Sequence, residues 1–289
     1  MISLCAFADE GGYTLSEQIE ILLKNNIYKI ELRSIAGKNV STFTDDEAKD
    51  YYKQLSNSGI EVYSIGSPLG KVDLCDAEAH LKTVKRVCEI ANIFKAKRVR
   101  MFSFYKAYDD FDKVAYYLDK MCQIAKEHNV IFCHENEKDI YGDTADRVKQ
   151  IYDKNIDGLK FVFDPANYIQ CDECIPDAFS KTFAFIDYFH VKDVEKDTGA
   201  IVPAGYGDGC FDLIIQSVKD SGKDYVFTLE PHLKVFSGYS DIDNTEMKNK
   251  FVFKTNKESF CASANAFKDV LIKNGYKEVD LNDGTKGWI

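Results

Sequence analysis

No apolar run in this 289-residue chain reaches the roughly 18 residues that a membrane helix requires, so no helical membrane span is expected. The opening MISLCAFADE lacks the basic segment and cleavage site of a signal peptide, and the expectation is a soluble, cytoplasmic protein. Positive charge is in deficit: 37 Lys and Arg face 47 Asp and Glu, a formal net charge of −10. A protein that holds a phosphate backbone carries the opposite balance, so nucleic acid is not an expected partner, although a local basic pocket stays compatible with the total. A disulfide framework is missing as well. The nine cysteines are odd in number, and several lie inside hydrophobic runs, where a thiol packs as a small apolar group in a reducing compartment. Cys171 and Cys174 form a lone C-x-x-C in QCDEC; without a second pair they are read as two ordinary cysteines rather than as a zinc or redox site. Finally, ADEGGY after the first hydrophobic run lacks the glycine spacing of a dinucleotide fingerprint, and no linker, low-complexity run or short repeat is present.

What the chain does contain is a strict alternation of strand-like and helix-like segments. The strand-like runs are ISLCAF (2–7), KIELR (29–33), IEVYSIG (60–66), KRVRMFSF (97–104), VIFCHE (130–135), LKFVFD (159–164), FIDYFHVKD (185–193) and YVFTLE (225–230). Between them lie segments with helical spacing at 15–25, 45–59, 80–94, 112–129, a fifth opened by Asp143 or Thr144, IPDAFSKTF, and 210–222; a final helix follows at 257–275. Eight strands, each followed by a helix, predict parallel pairing with right-handed crossovers, and in fewer than 300 residues the closed (β/α)₈ barrel, an α/β TIM barrel formed by residues 1–289 as one domain. Two connections are long: 194–209, glycine-rich and beside the predicted mouth, and 233–256, expected to act as a functional lid or as the subunit contact of a homo-oligomer.

Four of the eight runs end on a metal-ligating side chain. Glu135, Asp164, His190 and Glu230 close strands five to eight, with gaps of 29, 26 and 40 residues. In a parallel barrel these strand ends meet at one mouth, where chemistry gathers. Three carboxylates and an imidazole brought to one point repel unless a cation sits among them, and this donor set suits Mn²⁺, Mg²⁺, Co²⁺, Fe²⁺ or Zn²⁺. One such residue alone reads as an ordinary strand-end polar group; four on consecutive strands point to a metal.

The segments HENEKDIYGDTADR, FDPANY, FHVKD, AGYGDG and LEPHL resemble motifs of the xylose-isomerase-like TIM barrels, a superfamily that holds sugar isomerases, ketose 3-epimerases, inosose dehydratases and AP endonucleases. The resemblance covers nearly the whole chain; its motifs are specific for fold and metal site and poor for substrate. It implies that Glu135, Asp164, His190 and Glu230 bind one divalent cation, and that Glu135 and Glu230, on opposite sides of it, double as acid and base. A cation on the carbonyl and hydroxyl oxygens of a sugar stabilises the enediolate formed on proton loss, and a carboxylate on each face can remove and return the proton. The AP endonuclease branch needs several more histidines than the five present, and Asn167 stands where that branch carries a ligand, so DNA repair is rejected.

Around this set, Asn167 is either a substrate contact or a turn-former, and Lys192 shares the inward parity of His190 and is expected to hold a substrate oxygen. His232 either lines the mouth or is merely solvated, and Asp193 caps a loop or supports the site. His134 points away from the barrel interior and is structural. Glu31, Arg33, Ser67, Lys71 and Arg100 lie in or just after strands two to four; Arg33, Lys71 and Arg100 either bind a phosphate or carboxylate or pair with acids of the barrel. The expected function is a divalent-metal-dependent isomerase or epimerase of a sugar or sugar phosphate, with a small sugar or polyol as its partner. The alternatives are a metal-dependent keto-cyclitol dehydratase and a barrel that binds a sugar without turnover.

Overall fold

The computed structural model, which describes residues 1–236 and 247–289, closes the eight strand-like runs into a ring. The eight strands are β1 (Ile2–Ala6), β2 (Lys29–Leu32), β3 (Glu61–Gly66), β4 (Arg98–Met101), β5 (Ile131–Glu135), β6 (Leu159–Phe163), β7 (Ile186–Val191) and β8 (Tyr225–Leu229). Each pairs in parallel with its neighbour in sequence, and β1 pairs with both β2 and β8, which closes the barrel. This is the α/β TIM barrel that the alternation predicts.

The outer layer holds α1 (Leu15–Lys24), α2 (Asp45–Asn57), α3 (Ala77–Ile93), α4 (Phe111–Glu127), α5 (Ala145–Asp153), α6 (Pro165–Gln170), α7 (Ile175–Thr182), α8 (Phe211–Ser221) and α9 (Asn256–Lys273). Local chemistry sets several starts. Thr14 and Thr44 form capping boxes with Glu17 and Glu47, and Thr144 caps α5. Gly222 stops α8 in the left-handed region at φ 65°, where a side chain would strain the backbone.

Strand period separates two apolar layers. Outward residues such as Phe132, Phe161, Phe189 and Phe227 form the main core with the helices, whereas Cys5, Tyr63, Cys133, Val162 and Tyr188 fill the barrel interior. All nine cysteines are free, and Cys5, Cys88, Cys122 and Cys133 are buried as packing groups.

Three features depart from the sequence expectation. Strand β4 ends at Met101 rather than at 104: Phe102 and Phe104 instead donate backbone hydrogen bonds to Leu69 and Gly70 in the loop after β3, at 2.8 and 2.9 Å. The short helix α6 follows β6 directly. A C-terminal hairpin, β9 (Glu278–Asp280) and β10 (Lys286–Trp288), joins the barrel through Trp288 opposite Ile2. The centre of the proposed lid or subunit contact, 237–246, lies outside the described residues. No described helix is long and apolar enough to cross a membrane.

Candidate metal centre

The inward parity of β5 to β8 carries Cys133, Val162, Tyr188 and Thr228 at one level and the four expected ligands at the next. Glu135, Asp164, His190 and Glu230 are all buried, and each offers one ligand atom such that these atoms lie within 4.8 Å of one another. Asp164 sits one residue beyond β6 and caps α6: its Oδ1 accepts the Asn167 N–H at 2.9 Å, which turns Oδ2 to the cluster. Asn136 fixes that position by exchanging two hydrogen bonds with the Asp164 backbone, at 2.8 and 2.9 Å, where the strand ladder has ended.

The chemistry of the donors fits a divalent cation. Glu135 Oε2, Asp164 Oδ2 and Glu230 Oε2 are buried and accept no well-aligned hydrogen bond; their nearest charged neighbours are Arg100, Lys192 and His190, at 3.2, 3.1 and 3.2 Å. Ligand atoms about 2.0–2.2 Å from a shared ion lie at most roughly 4.4 Å apart, so a contraction of a few tenths of an ångström seats one. Three oxygens and one imidazole nitrogen suit a hard or borderline metal.

The electrostatics point the same way. Burial opposes charge on His190, but Glu135 and Glu31 outweigh it and hold the imidazole well above its usual range. The cluster therefore favours a positive centre. Burial would raise Glu230, yet Lys192 and His190 hold its carboxyl well below the usual range, whereas burial pushes Asp164 up to about 6 against the pull of Lys192.

The structure brings the remaining expected residues to the same mouth. Asn167 donates to Glu135 Oε1 at 3.2 Å and accepts from Lys192 Nζ at 2.7 Å; Lys192 also lies 3.1 Å from Asp164 Oδ2. Arg100 Nη1 is 3.2 Å from Glu135 Oε2 and 3.9 Å from Glu230 Oε1. Lys71 Nζ pairs with Glu137 Oε2 at 3.0 Å. His232 is buried rather than solvated, with Nε2 at 3.3 Å from Glu10 and 3.6 Å from Glu230. Arg33, Lys71 and Arg100 are thus each ion-paired with an acid of the mouth. Asp9, Ser34, Phe102 and these three cations line a small cleft on the β2–β4 side of the mouth.

Asp193 behaves as a loop anchor. Its carboxylate accepts four backbone N–H groups, from Val194, Gly205, Gly207 and Gly209, and a Cβ on Gly207 would stand 2.4 Å from its Oδ1. His134 is structural as expected, bonded to Ser103 Oγ at 2.9 Å and stacked on Phe161.

Asp9, Glu10, Asn136 and Glu137 escaped the sequence argument. Arg33 donates to Asp9, Glu10 and Glu230, and Glu10 accepts the His232 N–H at 2.7 Å. Their one available signal was position: each follows a strand end by a few residues, where a loop folds back over the mouth.

A family model described as xylose isomerase-like TIM barrel matches residues 26–246. No curated protein matches the chain in sequence. Among solved structures, D-psicose 3-epimerase from Clostridium cellulolyticum H10, with D-tagatose, is similar at 13% identity and TM-score 0.74, covering 94% of this chain and 99% of that one. The probable 3-DHS dehydratase involved in petrobactin synthesis from Bacillus anthracis is similar at 18% identity and TM-score 0.71, over 92% and 98%. A xylose isomerase-like TIM barrel protein from Mycobacterium smegmatis, in complex with magnesium, is similar at 13% identity and TM-score 0.65, over 94% and 97%. At these identities the likeness is one of fold.

Proposed function

This chain belongs to the xylose isomerase-like TIM barrel family, and from that premise we propose that it is a divalent-metal-dependent isomerase or epimerase of a sugar. The observation that carries the proposal is the buried set Glu135, Asp164, His190 and Glu230, whose ligand atoms converge within 4.8 Å.

These four side chains would hold the ion, and when bound it supplies Lewis-acid polarisation of the substrate's carbonyl and hydroxyl oxygens. Glu135 and Glu230 act as proton acceptor and donor at the carbon beside the carbonyl. Arg33 fixes Glu230 from one side, at 3.0 Å from Oε1, so that Oε2 faces the cluster. Asn167 and Arg100 fix the Glu135 carboxylate in the same manner, and Lys192 is placed to hold a substrate oxygen. His232 and Lys71 line the approach.

The charge balance supports an uncharged sugar or polyol over its phosphate ester. Asp9, Glu10, Glu31 and Glu137 surround the three ligand carboxylates, and these seven acids face the four cations Arg33, Lys71, Arg100 and Lys192, each already in an ion pair. A dication brings that balance close to neutral. A phosphate dianion would meet no spare cation in this set.

The test is solvent exchange. The metal-loaded protein is incubated in D₂O with free ketoses, their phosphate esters and a keto-inositol, and products are followed by NMR. Deuterium next to the carbonyl of a free sugar is the expected result; loss of water marks a dehydratase, and no exchange with any compound leaves a binding barrel.

A further inference from the structure

His190 is held at both ring nitrogens. Its Nδ1 lies 2.9 Å from Glu135 Oε1 and 3.2 Å from Glu230 Oε2, among the other ligands. Its Nε2 lies 3.2 Å from Oε2 of Glu31, which comes from β2, on the far side of β8 and β1. Glu31 is itself fully buried and fixed: Tyr188, two residues before His190 on the same strand, donates its hydroxyl to Glu31 Oε1 at 2.8 Å. The Phe7 ring stands edge-on to the imidazole at 5.3 Å and 81°, so the ring plane is set by packing as well.

A fully buried carboxylate is an expensive way to fill a barrel. Its desolvation costs several kcal/mol, and an apolar side chain of similar volume is often as stable or more so. The cost is sensible if the carboxylate fixes something that packing cannot. An imidazole has two ring nitrogens, and a metal takes only the one without a proton; a hydrogen bond at one nitrogen decides which is available.

We infer that Glu31 is a positioning residue for the metal: it accepts the Nε2–H of His190, fixes that tautomer and leaves Nδ1 as the ligand atom. The inference rests on the proposed metal centre and assigns a role to a strand-two residue outside the ligand set. Tyr188 extends the same chain of contacts by holding Glu31 in place. Ser64 Oγ, 3.4 Å from Glu31 Oε1, adds a weaker contact.

Three variants test it, each purified metal-free and titrated with Mn²⁺ or Zn²⁺ by calorimetry. Glu31→Gln removes the charge, and Glu31→Asp keeps the charge but withdraws the carboxylate by one methylene. Both are expected to weaken metal binding by about 10–100-fold. Tyr188→Phe leaves Glu31 intact but loose, and is expected to weaken binding by roughly 2–10-fold; it also decides the question if a Glu31 variant does not fold. In the zinc-loaded wild type, ¹⁵N NMR is expected to find the His190 proton on Nε2. Unchanged affinity in Glu31→Asp would reduce Glu31 to a distant charge, and a proton on Nδ1 in the loaded protein would reverse the ring; either overturns the inference. A wild type that binds no divalent cation overturns the metal centre itself, a separate result from wild-type binding that is indifferent to Glu31.

Discussion

Arg33 Nη1 donates to Glu230 Oε1 at 3.0 Å, joining the second strand of the barrel to the eighth across its mouth. The same guanidinium reaches Asp9 through Nε and Nη2 at 2.9 and 3.0 Å and Glu10 at 3.0 Å, with its side chain 2% exposed. It is the counter-charge of three buried acids. Arg33→Met is expected to destabilise the protein by about 3–5 kcal/mol, because the acids are then left without it. The measurement is the urea midpoint, and a Glu10→Gln substitution in that background should recover part of the loss.

Glu135→Gln and Glu230→Gln each remove a group proposed to move the proton. Turnover, once a substrate is found by deuterium exchange, should fall by about 10²–10⁴-fold or more in either variant while the circular dichroism spectrum stays that of the wild type. Full activity in either one would remove the acid–base assignment.

Divalent metal should stabilise the fold. At free metal 100 times the dissociation constant, linkage adds about 2.7 kcal/mol, visible as a raised Tm against a chelator control. His190→Ala should lose most of that shift at the same metal concentration and retain a folded barrel. An equal shift in wild type and variant would show that the ion binds elsewhere.

His134 makes the metal-free protein acid-sensitive. Burial lowers its pKa from 6.5 to about 3, so the unfolded chain binds a proton that the folded chain refuses. The stability from the neutral ring is complete above about pH 6.5 and declines as pH falls towards 3, with a slope near ~1.4 kcal/mol per pH unit. His134→Phe, which keeps the stacking on Phe161, should flatten that part of the stability–pH curve measured by denaturant titration.

Asp193→Ala leaves four backbone N–H groups without their acceptor. Each unpaired buried donor costs about 1–3 kcal/mol, so the loop 203–209 should open locally. Hydrogen exchange should accelerate at Gly205, Gly207 and Gly209, with the barrel strands as the unaffected reference.

The eight strands were legible because each interleaves inward and outward residues at period two, and most helices because their apolar spacing and caps are local. The convergence of Glu135, Asp164, His190 and Glu230 was legible from the strand ends: each closes its run, so one strand rule places all of them. The early end of β4 was not, since Phe102 and Phe104 leave the barrel for partners at Leu69 and Gly70, and nothing within KRVRMFSF distinguishes those bonds from ladder bonds. The terminal hairpin was equally hidden, because Trp288 finds its pairing partner at Ile2, the opposite end of the chain.

By itself the sequence determined the barrel, its strand order and the level at which Glu135, Asp164, His190 and Glu230 stand, since parity and strand length are local quantities. Only the tertiary structure decided who neutralises whom. It gave Arg33 to Asp9, Glu10 and Glu230, Arg100 to Glu135, Lys71 to Glu137, and the second nitrogen of His190 to Glu31. Those pairings depend on strand stagger and on which side chains share the barrel's interior, and a charge carries no mark of its partner until burial removes the water that would otherwise solvate both.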